Sequence, residues 1–219
     1  MSGRRLVVSK TAIVMIGLLA QGLARFFYTV VIGRLAGPEV LGQVNTVLSL
    51  AVYLSLFWPA ALGVAGSRFI PSARRGGDRA ADTIHTLTRS FWLSLPVVAG
   101  AGVAIAWIIT ADTGVAVAAG ILVATYSGYV FVRGVMLGRD QVVRVGVVDV
   151  VSSVAALGLL LAVIATGSTP LLLLPLSAGY LAFSIIGWPR VPRATGPRSA
   201  RDPEIRSFTA HTIVWLVAT

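Results

Sequence analysis

Four side chains in the first apolar stretch could carry chemistry. Tyr28 and Thr29 follow Arg25 by three and four residues, and Gln21 precedes it by four, so on a helix all four share one face. A charge at the centre of a bilayer costs about 2.5–3.5 kcal/mol on insertion scales, so an arginine held there has a partner or a task. Arg25 stands eight residues before Gly33, roughly 12 Å along a helix, too deep for easy reach to the interface. Three readings stay open for it: a snorkelling side chain, a structural pair within a bundle, or a binding group.

Other polar positions inside apolar runs are fewer. Gly42, Asn45, Thr46, Ser49 and Tyr53 form a milder stripe, able to line a polar path or to bond between helices. Tyr126, Tyr129 and Arg133 make a comparable face, with Arg133 near the inner end, where a topology charge is expected. Asp149 lies shortly inside its own run. It suits an ion- or proton-coupling site, or a salt bridge to Arg133 or Arg144, and the salt bridge is the simpler reading. Pro59, Pro96 and Pro175 mark places where a membrane helix could hinge.

No Walker-type loop is present, and no carboxylate pair sits at reachable spacing in an outer loop. The chain has no cysteine and only two histidines, His85 and His211, which excludes disulfides, thiolate chemistry and a multi-histidine metal site. The expectation is a protein that is not an enzyme and uses no cofactor.

Those positions lie in a chain suited to lipid. Of 219 residues 56% are hydrophobic and only 12% are charged, about half the charged fraction of soluble domains. Mean hydropathy is +0.87. The net charge of +10 would suggest nucleic acid in a soluble protein, but here the charges fall in short stretches between long apolar runs. A nucleic-acid partner is therefore not expected. The first run is too long for a signal peptide and lacks a small-residue cleavage site.

About 20 apolar residues cross the hydrocarbon core, and six runs meet that length. They cover about Val7–Ile32, Val40–Ala65, Leu87–Ile109, Val115–Leu137, Val145–Ala165 and Leu171–Trp188. Turns are expected at 33–39, 112–114 and 167–170, a basic loop at 67–84, and a short link at 138–144. Residues 1–188 thus read as an all-α, six-helix integral membrane lobe, 189–207 as a basic cytoplasmic linker, and 208–219 as the opening of a seventh helix. With the N-terminus in the cytoplasm, sixteen of the eighteen basic residues fall on the inner side, as the positive-inside rule requires. The exceptions are Arg34 in an outer turn and Arg25 within a span. Seventeen arginines against one lysine, with abundant Ala, Val and Gly, match the coding bias of a GC-rich bacterium, so a bacterial plasma membrane is expected.

The stretch Gly33-Arg34-Leu35-Ala36-Gly37-Pro38-Glu39-Val40-Leu41-Gly42 has the form R-L-x-G-P-E-x-x-G, and the next helix closes on Leu62-Gly63-Val64-Ala65-Gly66-Ser67-Arg68-Phe69-Ile70. This resembles the start of the polysaccharide-biosynthesis flippases, the Wzx-like branch of the multidrug/oligosaccharidyl-lipid/polysaccharide exporter superfamily. The small residues suit it physically: Gly37-Pro38 for a tight turn, Gly42 for close approach of the first two helices, and Gly63, Ala65 and Gly66 for the same at the inner end.

The resemblance implies a lobe of a two-lobed transporter, working by alternating access on undecaprenyl-pyrophosphate-linked oligosaccharides. The second lobe would be the rest of a longer gene product or a partner chain. In that reading Arg25 holds the pyrophosphate bidentately, Gln21, Tyr28, Asn45 and Ser49 line the way for the sugar, and Asp149 is the ion-coupling candidate. The alternatives are a multidrug or cation antiporter of the same superfamily, a membrane enzyme of glycan assembly, or a scaffold that pairs with another lobe.

Overall fold

The computed structural model describes residues 2–75, 80–166, 168–190 and 202–218. Arg79, Gly167, Arg193, Arg198 and Arg201, on which parts of the sequence reading rest, lie outside them, as do the side chains of Arg4, Arg5 and Lys10. Among the described residues the regular structure is entirely helical: α1 Ser2–Leu35, α2 Pro38–Leu56, α3 Pro59–Arg75, α4 Ala80–Thr110, α5 Thr113–Gly138, α6 Val142–Val163, a 3-10 turn Ile164–Thr166, α7 Thr169–Gly187 and α8 Asp202–Ala218. Six of these, α1, α2, α4, α5, α6 and α7, are long and apolar enough to cross a membrane.

The helix ends follow from local chemistry. Gly37 takes φ +94°, a conformation open to glycine alone without strain. Pro38 then opens α2, where its missing N–H costs nothing, and Glu39 sits in the first turn against the positive end of the helix dipole. The expected turn at 112–114 is shorter than the sequence suggested. Asp112 caps α5 by accepting from the Val115 N–H at 3.0 Å, so Thr113 and Gly114 are already helical. The link after α5 likewise narrows to residues 139–141.

The largest departure concerns the second run. A single span over Val40–Ala65 was expected, but the helix breaks at Phe57–Trp58 and restarts at Pro59. Proline cannot donate to the carbonyl four residues earlier, and its ring crowds that carbonyl. Nor is 67–84 a loop: α3 continues through an internal Pro71 to Arg75, and α4 begins at Ala80. The final helix begins at Asp202, six residues before its apolar stretch.

α5 is the hub. It packs on α3, α4, α7 and α2, while α1 lies mainly on α6 and touches α2. Two glycine pairs let α3 and α5 approach backbone to backbone. A Cβ at Gly63 would stand 2.7 Å from the Val130 carbonyl, and one at Gly134 or Gly138 would overlap the carbonyl of Gly63 or Gly66. Gly63 and Gly66 thus act as expected. Gly42 does not: it is exposed and a Cβ there would meet nothing within 4 Å, whereas at Gly33 a Cβ would meet Leu41 at 3.0 Å. Large apolar side chains cover the outside of the bundle, among them Leu19, Leu23 and Phe26 on α1, Leu93 and Val97 on α4, and Val154 on α6. A surface of this kind is insoluble in water and matched to lipid.

Candidate functional site

Towards the middle of the bundle, polar side chains from α1, α5, α6 and α7 form one connected cluster. α1 turns Gln21, Ala24, Arg25, Tyr28 and Ile32 inward, the three- and four-residue rhythm of one helical stripe. The Arg25 Nε donates to the Tyr180 hydroxyl at 2.9 Å. Its guanidinium carbon lies 5.1 Å from the Tyr126 ring centroid and 5.7 Å from that of Tyr180, within cation–π range. The three tyrosines hold one another: Tyr126 and Tyr180 at 5.1 Å, Tyr129 and Tyr180 at 5.2 Å, Tyr126 and Tyr129 at 5.9 Å between ring centroids.

The remaining members tie these helices together. The Tyr129 hydroxyl donates to Gln21 Oε1 at 2.9 Å. Tyr28 is fully buried and donates its hydroxyl to the Leu172 carbonyl, a link from α1 to α7. Thr29 returns its hydroxyl to the Arg25 carbonyl one turn back. Arg133 Nε faces Asp149 Oδ2 at 3.4 Å, with Asp149 only 1% exposed. This is the salt bridge expected from the sequence, and Arg144 is not part of it: its guanidinium donates to the Ile186 carbonyl at 2.7 Å. The pair is incompletely satisfied, because Asp149 Oδ1 and Arg133 Nη2 are buried without a partner. Gly17 makes room for it, since a Cβ there would stand 3.3 Å from Asp149 Oδ2.

Two spaces adjoin the cluster. A gap of about 20 Å³ lies between α1, α6 and α7 beside Arg25, Ser152 and Ser153, room for about one water. A wider cleft of about 330 Å³ runs along α5 between α1 and α3, lined by Gln21, Tyr126, Tyr129, Arg133, Ser67 and apolar neighbours. Arg25 touches Tyr126 and so stands one aromatic ring away from the cleft.

The predicted site residues therefore divide. Gln21, Arg25, Tyr28 and Asp149 belong to one buried neighbourhood. Asn45 and Ser49 do not join it: with Gly42, Thr46 and Tyr53 they form an exposed stripe on α2, while Val44, Val47, Ala51 and Ser55 face inward. Tyr180 was missed. It lies 155 residues from Arg25, and the signal available was a phenol in the interior of an apolar span, where its hydroxyl needs a partner. Replacing Tyr180 with Phe should cost about 1.5–3 kcal/mol, the range for a hydrogen bond to a charged group, measurable as a lower unfolding midpoint in detergent. Arg25→Ala combined with Tyr180→Phe should cost less than the two single changes summed, because both remove the same bond.

Searches against protein-family models, curated proteins and solved structures returned no match.

Proposed function

We propose that the chain is one lobe of a membrane transporter, the N-terminal lobe of a flippase that carries lipid-linked oligosaccharides of the undecaprenyl-pyrophosphate type across a bacterial plasma membrane by alternating access. One observation supports this reading above the others. A guanidinium sits deep in the bundle against Tyr126 and Tyr180, one ring away from a cleft of about 330 Å³ bordered by Gln21, Tyr129 and Arg133. A diphosphate demands planar, bidentate, permanently charged donors, and sugar hydroxyls demand phenols and amides.

In this reading Arg25 rests on Tyr180 when the site is empty and swings past Tyr126 into the cleft when the diphosphate arrives. The N-terminus lies in the cytoplasm, so that the ends of α3, α5 and α7 bearing Arg74, Arg75, Arg139 and Arg190 meet the inner leaflet. The uncovered polar stripe of α2 supports a second lobe, whether in the same gene product or in a partner. Asn45 and Ser49 are exposed on a helix apolar enough to span, and such groups are stabilised by water or polar protein, not by acyl chains.

A second reading has its own support. The buried Asp149 with an unpartnered oxygen fits a cation or proton antiporter of the same superfamily. The two separate on one experiment. Arg25→Ala should abolish complementation of a flippase-deletion strain by the native gene, and Arg25→Lys should retain part of it, because a point charge replaces a planar fork. Full complementation by Arg25→Ala would remove Arg25 from the mechanism, whereas failure of the native gene itself to complement would leave the antiporter reading in front.

A further inference from the structure

A second groove lies on the opposite side of α5, outside the polar cluster. It has a volume of about 370 Å³ and is bounded by α4, α5 and α7, with Phe91, Trp92, Leu95, Thr125, Leu181 and Trp188 among its walls. That volume lies within the range of small-molecule sites, about 300–1,000 Å³. Its hydroxyls are spent on their own helices. Thr125 Oγ1 donates to the Ile121 carbonyl at 2.9 Å, and Ser184 Oγ donates to the Tyr180 carbonyl at 2.8 Å. Apart from the indole N–H groups of Trp92 and Trp188 at its aromatic end, the groove therefore offers a guest dispersion contacts.

One end is closed by aromatic rings. Phe91 stacks on Phe131 at 4.6 Å, and Trp92 meets Trp188 at 5.5 Å. Beyond that end the character changes abruptly. Arg89 lies three residues before Trp92, one turn further along the same face of α4, and Arg190 lies two residues after Trp188; both are exposed. The exposed Arg144 is held at the same end of α7 by its bond to the Ile186 carbonyl. An apolar slot at membrane depth, capped by tryptophans and followed by arginines, matches a molecule with a hydrocarbon chain, an interfacial segment and an anionic head in that order.

We propose that this groove binds an anionic phospholipid of the arginine-rich leaflet, with one acyl chain lying between α4, α5 and α7 and the phosphate held by Arg89 and Arg190. The occupant is a bilayer lipid and not cargo, because the groove lies on the far side of α5 from the cleft assigned above, and its mouth faces the exposed apolar residues Leu93, Leu181 and Ile185. The assignment does not depend on the transport reading.

The test uses the groove's own tryptophans. With Trp58, Trp107 and Trp215 replaced by Phe, all three being exposed, emission reports on Trp92 and Trp188. The full-length protein is reconstituted in phosphatidylcholine vesicles containing rising fractions of phosphatidylglycerol or phosphatidylcholine with brominated chains. Half-maximal quenching is expected at a mole fraction at least threefold lower for brominated phosphatidylglycerol, and Arg89→Gln with Arg190→Gln should merge the two curves. Superimposed curves in the protein with both arginines would overturn the proposal without reference to any arginine variant. Survival of the preference in the double variant would overturn the headgroup assignment. If unlabelled polyprenyl phosphate relieved quenching at a lower fraction than unlabelled phosphatidylglycerol, the groove would belong to the tail of the cargo and the proposal would fail.

Discussion

Gly134→Val is expected to destabilise the protein by more than about 3 kcal/mol, at or beyond the upper end for overpacking a core, and Gly138→Val should do the same. Overpacking usually costs less because side chains can shift. Here the obstacle is backbone: a Cβ at Gly134 would overlap the carbonyl of Gly63, and one at Gly138 the carbonyl of Gly66. Relief requires α3 to move away from α5, the hub that also carries Tyr126, Tyr129 and Arg133. In lipid, helix association has little hydrophobic drive and depends on close packing of this kind. The controls are Gly42→Ala and Gly158→Ala, where a Cβ would meet nothing within 4 Å, and each should change stability by less than about 1 kcal/mol. Thermal unfolding in detergent distinguishes them, with the valine variants melting at least about 6 °C lower. A Gly134→Val protein with the parent's midpoint would mean that α3 and α5 are not in backbone contact.

The second large effect concerns the buried ion pair, and it is asymmetric. Removing one member of such a pair costs about 3–5 kcal/mol because the other charge is left uncompensated. Asp149 is 1% exposed and Arg133 18%, and Arg133 borders the open cleft. Arg133→Met strands the carboxylate in a sealed position, so it should fall at the upper end of that range. Asp149→Leu leaves a guanidinium that can turn towards the cleft, so it should cost less. The double replacement should lie within about 1 kcal/mol of the parent, since well-packed apolar substitutes often match a buried pair. A double-mutant cycle in detergent measures all three. Additive losses would mean that the two groups do not interact.

Much of the fold was legible because the bilayer imposes a length. Runs of apolar residues bounded by glycine, proline and charge located α5, α6 and α7 to within about three residues at both ends. They located α1 and α4 to that precision only at their C-terminal ends, since both helices begin in polar sequence ahead of the apolar run. The break at Phe57–Trp58 was legible only in part, since Pro59 was recognised as a hinge position but not as the first residue of a new helix. The pairing of helices was not legible. In a soluble helix an apolar stripe marks the buried face, but in lipid both faces are apolar, and the contrast that would identify the inside disappears. That is why α5 was not recognised as the centre, and why Gly134 and Gly138 drew no notice beside Gly63 and Gly66.

The site followed the same logic. The polar stripe of α1 could be read because Gln21, Arg25 and Tyr28 contrast with lipid-matched neighbours, and Asp149 and Arg133 could be paired because isolated charges at depth need each other. Tyr180 could not be assigned to Arg25, because nothing in local spacing encodes a contact between α1 and α7. The stripe on α2 was visible, but its direction was not. Asn45 and Ser49 face away from the cluster, a property of how α2 seats on α5 and α4.

The claim beneath all of this is that the apolar helices cross a bilayer with their arginine-rich ends in the cytoplasm. The absence of native cysteines makes it directly measurable with Thr113→Cys, exposed at the first residue of α5, and His85→Cys, exposed near the start of α4. A membrane-impermeant maleimide added to intact cells should label position 113, and should label position 85 only after the membrane is opened. Labelling of both positions from the same side, or of 85 alone in intact cells, would contradict the account.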